Sequence, residues 1–176
     1  MDAKSLPLYG TEALRSARKE VVIVEGEKAM EAGVEFDLPF IWLATVNGAN
    51  STPNAMTLAP LKGKNVTLWP DADDVGRKHM QDVAKALYTM GIVVAIIDTN
   101  NLPDKSDAAD VDANIAANLI KSAVLYQPEQ RAGVPKVFGH ADVVGLFTAE
   151  IDRIAASRIT GQRASQGFRS RGGPDL

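Results

Sequence analysis

The stretch VTLWPDADDVGRKH, residues 66–79, combines a short apolar run, a proline and three aspartates within four positions. The apolar residues before Pro70 are typical of a buried strand, and the residues after it begin to follow helical spacing. Carboxylates this close repel one another unless a cation or hydrogen-bond donors hold them. Asp71, Asp73 and Asp74 therefore predict either a helix cap or a metal-binding loop at the end of a strand.

Outward from this stretch, short apolar runs alternate with helical patterns. Buried strands are predicted at Val21–Val24, Phe40–Val46, Asn65–Trp69 and Ile92–Ile97. Helices are predicted at Lys28–Gly33, from Asp73 or Asp74 to a stop at Gly91, and over roughly Ala108–Ala123. Continuous apolar strands separated by helices indicate an α/β fold, with a mostly parallel, four-stranded, Rossmann-like sheet and helices on both faces.

The acidic residues have a marked position in this predicted fold, because each cluster directly follows a strand. The clusters are Glu25 with Glu27, then Asp71 with Asp73 and Asp74, then Asp104 with Asp107 and Asp110. In parallel sheets ligands bind beyond the carboxyl ends of the strands. Surface charge serving solubility alone would show no preference for strand ends, so this edge is the predicted site.

Composition narrows the possible chemistry. The chain of 176 residues is 45% hydrophobic, enough for one domain with appendages, and it lacks an apolar run of the roughly 20 residues that span a bilayer. No signal peptide is recognisable at the N-terminus. The absence of Cys excludes disulfides and thiolate zinc sites and fits a cytoplasmic location. With two His, a metal site must be built mainly from oxygen ligands, which favours Mg²⁺, Mn²⁺ or Ca²⁺ over zinc.

The net charge of −3 argues against bulk affinity for nucleic acid, yet residues 153–176 hold five Arg among small and turn-forming residues. This basic tail is expected to be disordered, and the alternative is a tail that contacts phosphate. Before it, a helix is predicted over residues 141–157.

The acidic residues suit a magnesium site, because Mg²⁺ takes one or two carboxylates together with waters and substrate phosphate oxygens. Asp71 and Asp73 are the expected ligand pair, and Glu25 is either a further ligand or a general acid or base. Such a site suits phosphoryl or nucleotidyl transfer. Residues that could pair with phosphate are Lys28, Arg77, Lys78 and Lys105, and glycines that permit close backbone approach are Gly26 and Gly76.

Several of these residues have a structural alternative. Asp74 is expected to cap the helix rather than to bind metal. Arg77 and Lys78 are explained equally well as solvated charges on a helix face. The side chains expected to be structural are His79 and His140, which are isolated, and Trp42 and Trp69, which lie in apolar runs.

Four segments together resemble the Toprim domain of bacterial primases, topoisomerases and certain small nucleases. They are VVIVEGEKA (21–29), TVNGA (45–49), VTLWPDADDVGRK (66–78) and LPDKSDAAD (102–110). The resemblance covers roughly residues 8–125 and implies a Toprim-like fold. It assigns Glu25 as the general acid or base and Asp71 and Asp73 as the metal-binding pair. It also matches Gly26 and Gly76 to the motif glycines, and Asn47 with Gly48 to the turn after the second strand.

Within this family the chain most resembles primases. PLYGTEAL, residues 7–14, resembles the element that precedes the Toprim core of replicative primases, and residues 102–110 resemble their third acidic segment. Asp107 and Asp110 are therefore candidates for a second metal, although the family spaces these acids two apart and here they are three apart. The segments VEGEKA and WPDADDVGRK are most similar in sequence to the Toprim domains of primase–helicase proteins from phages, plasmids and other mobile elements.

The resemblance implies a metal-dependent nucleotidyltransferase that makes primers from NTPs on single-stranded DNA, with a helicase or further primase domains as partners. The alternatives are a stand-alone Toprim nuclease and a non-catalytic module that binds metal and nucleic acid. Primases of this type carry a zinc module and a basic subdomain that this sequence does not show. We divide the chain into a lead-in segment (1–20), a Toprim domain (21–125) and a C-terminal region (126–176) of loop, helix and tail.

Overall fold

The computed structural model describes residues 6–46 and 51–128. Its strands are β1 (Glu20–Glu25), β2 (Ile41–Thr45), β3 (Asn65–Leu68), β4 (Val93–Ile96) and β5 (Val124–Leu125). Its α-helices are α1 (Glu27–Glu35), α2 (Ala55–Leu58), α3 (Asp74–Thr89) and α4 (Ala113–Lys121). Short 3₁₀ turns lie at Thr11–Arg15, Ala59–Leu61 and Ala108–Asp110.

The strands form one sheet in the order β2–β1–β3–β4–β5. β1 is parallel to β2 and β3, and β3 is parallel to β4, whereas β5 runs antiparallel to β4. The expected α/β class with a mostly parallel sheet is confirmed. The fifth strand was not expected, because two residues are too short to leave a periodic pattern in the sequence.

The core lies between the sheet and its helices. All five residues of β2 and the four central residues of β1 are buried. Because successive side chains of a strand point to opposite faces, this continuous burial means that both faces of the sheet are covered. Trp42 and Trp69 are 3% and 1% exposed, as expected of core residues, and their rings lie 6.2 Å apart.

Two helix boundaries show how capping residues divide the chain. α3 ends at Thr89, and Gly91 follows with φ of 75°, as the sequence predicts for a helix stop. The single helix predicted over Ala108–Ala123 is wrong, because Val111 is extended and separates a 3₁₀ turn from α4. The Asp112 carboxylate accepts hydrogen bonds from the second and third residues of α4 and so begins a new helix there.

The segment before β1 packs onto the sheet. Tyr9 forms an antiparallel bridge with Ala44 at the outer side of β2, and Leu8 is 3% exposed in the core. In the described part of the chain, no helix has both the length and the apolar character needed to cross a membrane. The predictions for Gly48, for His140, for the helix over residues 141–157 and for the basic tail lie outside the described residues.

Candidate functional site

The first two acidic segments meet at the carboxyl ends of β1 and β3, which are neighbours in the sheet. The backbone N–H of Asp71 donates a hydrogen bond to Oε1 of Glu25 over 3.2 Å. Trp69 N donates to the Ile23 carbonyl at 2.9 Å and continues the pairing of the strands up to the site. The convergence predicted from the parallel arrangement is therefore present for Glu25 and Asp71.

The turn between β3 and α3 is stabilised by Asp73. Its N–H donates to the Asp71 carbonyl at 2.8 Å, and its Oδ1 accepts the Gly76 N–H at 2.7 Å, which caps α3. The expectation that Asp74 is the cap is wrong, because Asp74 is the first residue of the helix and its carboxylate binds Arg77 at 2.9 Å. Only Asp73 has the extended backbone that an N-cap requires.

The third acidic segment is attached to this turn through backbone hydrogen bonds of Ala72. Ala72 N donates to the Ser106 carbonyl at 2.9 Å, and Lys105 N donates to the Ala72 carbonyl at 3.2 Å. The two loops therefore pair like a short piece of sheet, and Asp107 follows directly after the paired residues. This pairing was missed from the sequence, since bonds between loop backbones leave no side-chain pattern.

The three-residue spacing of Asp107 and Asp110 has a structural cause. Asp107 Oδ1 accepts from Ala109 N at 2.6 Å, while Asp110 Oδ2 accepts from Asp107 N at 2.9 Å. Together they form a reciprocal capping box around the 3₁₀ turn. The second oxygen of Asp107 lies 3.6 Å from Nζ of Lys28. The acids expected to bind a second metal are thus already engaged in local contacts.

The electrostatic centre of the site is Asp71. Burial, followed by repulsion from four other carboxylates, raises the pKa of Asp71 from 3.8 to about 7. These carboxylates are Glu25, Asp107, Asp73 and Asp110, in decreasing order of effect. Burial also raises the pKa of Glu25; the hydrogen bond from Asp71 N partly opposes the shift, and Asp73 adds to it. We call Glu25, Asp71, Asp73, Asp107 and Asp110 the acidic edge.

A metal ion at the acidic edge would have few protein ligands. Within residues 6–46 and 51–128, no three acidic or histidine side chains form a group that could hold a metal ion by themselves. Mg²⁺ does not need such a cage, because waters and substrate phosphates complete its coordination. Across the same residues, no donor is hydrogen-bonded to the Asp71 carboxylate, although four carboxylates repel it. A divalent cation is the partner that this excess negative charge would favour.

Two glycines shape the acidic edge. Gly26 follows Glu25 with φ of 94°, a conformation that side chains strongly disfavour. At Gly76, a Cβ would lie 2.7 Å from Oε1 of Glu25 and 2.9 Å from the Asp71 carbonyl oxygen. Glycine at position 76 therefore allows the first turn of α3 to approach both acidic residues.

The expected phosphate-binding cations lie in different places. Lys28, which is mostly exposed, reaches the acidic edge through Asp107. Arg77 binds Asp74, and Lys78 binds Asp82 at 3.1 Å, so both contact acids of their own helix. Lys105 is exposed and its backbone has φ of 60°, imposed by the pairing with Ala72.

His79 lies behind the acidic edge in the core. It is 2% exposed, and its Nε2 lies 3.3 Å from Oγ1 of Thr45 at the end of β2. Burial lowers the pKa of His79, so the ring is neutral near physiological pH. This placement agrees with the structural role expected from the sequence.

Comparison with known proteins bears on the fold. A family profile described only as a domain of unknown function, DUF6371, matches residues 3–72. No curated protein matches the chain. Among solved structures, a DNA primase domain from Pseudomonas aeruginosa is similar, with a TM-score of 0.56, 17% identity, and coverage of 71% of this chain and 40% of that one.

Two further structures are described as DnaG proteins. The DnaG primase catalytic domain bound to ssDNA has a TM-score of 0.57 at 17% identity, and the match covers 69% of this chain and 40% of the DnaG chain. The DnaG catalytic core has a TM-score of 0.57 at 19% identity, with 69% and 41% covered. The chain thus spans about two fifths of these structures. At such identities the likeness concerns the fold, and this chain has a primase-like Toprim fold.

Proposed function

We propose that this chain is the Toprim domain of a DNA primase-related replication protein, a magnesium- or manganese-dependent nucleotidyltransferase that extends primers from NTPs on a single-stranded DNA template. The observation that carries the proposal is the acidic edge. In the described part of the chain, its central carboxylate, Asp71, is repelled by four others and lacks a hydrogen-bond donor. Partly buried carboxylates that repel one another destabilise the folded protein unless a cation offsets their charge.

The proposed roles follow from the contacts. Asp71 and Asp73 hold the metal ion, Asp73 with the oxygen that does not cap α3. When bound, the ion supplies charge neutralisation and alignment for the transferring phosphoryl group. Glu25 has one oxygen held by Asp71 N, so its Oε2 is the atom that takes the proton from the attacking 3′-hydroxyl. Burial raises the pKa of Glu25, which makes its carboxylate a stronger base than a solvated one.

Further residues assist in this proposal. Lys28 would contact a substrate phosphate, since its ion pair with Asp107 is long and the lysine is exposed. The oxygens of Asp107 and Asp110 that are not used in the capping box would hold a second ion, and Lys105, Arg77 and Lys78 would contact the triphosphate or template. The amino-acid sequences of the motifs favour a primase–helicase of a mobile element, which works in the cytoplasm with a helicase partner.

One observation favours a second function. The acids of the third segment, Asp107 and Asp110, are occupied by the capping box and, for Asp107, by Lys28. This suits a module that binds metal and nucleic acid without catalysing turnover by itself. A stand-alone nuclease that uses the same carboxylates to activate water remains the third reading of the site.

The proposal is tested by incubating the protein with an end-labelled template–primer and Mg²⁺ or Mn²⁺, with and without NTPs. Primer extension that needs NTPs and is lost in Asp73→Asn supports the nucleotidyltransferase. Shortening of the strand without NTPs would show a nuclease instead. Metal uptake by calorimetry without turnover would identify the binding module, and no uptake by the wild-type protein would overturn all three.

A further inference from the structure

The end of the sheet opposite the acidic edge carries the reverse charge. Arg15, Arg18 and Lys19 precede β1, and Lys62 and Lys64 precede β3. Because β1 and β3 are parallel neighbours, both segments lie at the amino ends of the strands. We call these five residues the basic edge.

Hydrogen bonds hold the two basic segments together. Lys64 Nζ donates to the carbonyls of Arg18 at 2.6 Å and Ser16 at 3.4 Å, and Asn65 N donates to the Lys19 carbonyl at 2.9 Å. Cations that are more than forty positions apart in the sequence are therefore neighbours in the fold. The arrangement is built by tertiary contacts rather than by a run of charges along the chain.

In the described part of the chain, the charge of the basic edge is only partly offset by nearby acids. Across residues 6–46 and 51–128, none of its five cations takes part in an ion pair. Two carboxylates lie in the same segments, Glu12 and Glu20, and Oε1 of Glu20 already accepts a hydrogen bond from Asn65. Five cations against these two acids leave +3, and Asp37, in the segment before β2 whose Phe40 carbonyl accepts from Arg18, lowers the local charge to +2, in a protein whose total is −3.

The acidic edge is too distant to cancel this charge. β1 connects the two edges, and its six residues span about 20 Å at roughly 3.3 Å per residue. Screening at physiological salt acts over about 8 Å, so attraction between the exposed charges of the two edges is largely screened.

From these observations we infer that the basic edge binds the phosphate backbone of single-stranded nucleic acid, at a surface separate from the catalytic carboxylates. The choice of ligand rests on the proposed function, whereas the existence of a polyanion site rests on the charge geometry alone. Arg15, Lys19 and Lys62 are the contacting residues, because their side chains are exposed and make no hydrogen bond within the described part of the chain. Lys64 positions the two loops, whereas the Arg18 side chain donates to the Phe40 carbonyl before β2.

Binding is measured by fluorescence anisotropy of a labelled oligothymidylate in EDTA, across a salt series, so that metal and catalysis play no part. The test variant is the double substitution Arg15→Gln with Lys62→Gln, which leaves the loop-anchoring bonds intact. The matched control is Lys85→Gln with Lys121→Gln, which removes the same charge from exposed positions outside the basic edge. Circular dichroism verifies that both variants fold.

Loss of two phosphate contacts should lower the slope of log affinity against log salt by about 1.4 and weaken binding about tenfold at low salt. The control should bind within about twofold of the wild type, as expected when no contact is lost. Equal weakening in both variants, no weakening in either, or no binding by the wild type would overturn the inference. Binding of the wild type to vesicles containing phosphatidylserine is measured in parallel. If the double substitution weakened only this binding, and not binding to oligothymidylate, the inference would also be overturned. None of these outcomes touches the proposed function, whose test is metal uptake and turnover at the acidic edge.

Discussion

The acidic edge and the basic edge lie at opposite ends of the same parallel strands, yet they are stabilised in different ways. At the acidic edge, carboxylates accept hydrogen bonds from backbone N–H groups, as Asp73 does at α3 and Asp107 at the 3₁₀ turn. At the basic edge the one well-anchored ammonium, that of Lys64, binds backbone carbonyls instead. At both edges the polypeptide backbone holds charged side chains in place, and the acidic edge adds the long ion pair between Lys28 and Asp107.

The difference between the edges is the degree of burial. Asp71 is partly buried and its pKa rises to about 7, whereas the exposed cations Arg15, Lys19 and Lys62 face water. Buried like charges raise the free energy of the folded state until a counter-ion arrives, whereas exposed ones are screened at little cost. The acidic edge is thus suited to tight, local binding of an ion, and the basic edge to weaker, salt-dependent binding of an extended polyanion.

The largest expected effect separates the two edges by function. Asp71→Asn should reduce metal-dependent turnover by at least about 100-fold, since the metal contributes several kcal/mol to transition-state stabilisation. Primer extension under saturating template measures this. Glu35→Gln, which removes an exposed carboxylate at the end of α1, is the control and should retain full activity. Comparable activity in Asp71→Asn and the wild type would contradict a catalytic role for the acidic edge.

The second comparison uses one glycine from each edge. Gly76→Ala should lower the free energy of unfolding by about 2 kcal/mol, because its Cβ would overlap Glu25 and the Asp71 backbone, and turnover should fall with it. Gly63→Ala, in the loop of the basic edge, has open space but φ of 78°, so about 1 kcal/mol is expected and turnover should not change. Urea denaturation and steady-state kinetics test the pair. Equal loss of activity in both would argue against close packing at Gly76.

The third prediction concerns pH in the absence of metal. Because the folded protein holds the Asp71 proton up to about pH 7 and the unfolded chain releases it near 3.8, the free energy of unfolding should fall as pH rises between these values. Asp71→Asn should flatten this slope. Above about pH 7, its free energy of unfolding should be higher than that of the wild type by about 2 kcal/mol, a figure reduced to allow for partial solvent access. Urea titrations in EDTA at several pH values measure both.

Addition of Mg²⁺ sharpens this result. At a pH above 7 the ion should raise the melting temperature of the wild type, since it binds the folded state and replaces the missing counter-charge at Asp71. Asp71→Asn should show a much smaller rise. An equal rise in both proteins would place the ion elsewhere.

The smallest effect is expected for the ion pair of Lys28 and Asp107. The two atoms are 3.6 Å apart and the Lys28 side chain is 74% exposed, so Lys28→Gln should change the free energy of unfolding by no more than about 0.5 kcal/mol. A double-mutant cycle with Asp107→Asn, measured at low and high salt, gives the coupling. A coupling well above about 1 kcal/mol would mean that Lys28 is a structural residue of the acidic edge rather than a mobile phosphate ligand.

The features that the sequence predicted well depend on local patterns. The apolar runs around Val21–Val24 and Asn65–Trp69 became parallel neighbours, and the acids that follow them met at one edge as the topology requires. Features that depend on contacts between distant loops were not predictable. Examples are the pairing of Ala72 with the segment before Asp107, and the short strand β5, which exists only because β4 supplies its hydrogen bonds.

Capping shows the same division at the level of single residues. Asp73 and Asp74 are equally good caps by residue type, and only the backbone conformation after Pro70 selected Asp73. The spacing of Asp107 and Asp110 departed from the expected pattern, and the structure explains it by the capping box that the two form.

The order of residues alone determined the four parallel strands β1–β4 and the placement of acids after strands, because periodicity and chain connectivity are encoded locally. Tertiary structure alone decided how strongly those acids repel one another, since the pKa of Asp71 depends on burial and on four carboxylates from three segments. It also assembled the basic edge. The segments that end at Lys19 and Lys64 are joined by hydrogen bonds that no sequence pattern predicts. Electrostatic energy depends on distance in space, and folding sets that distance.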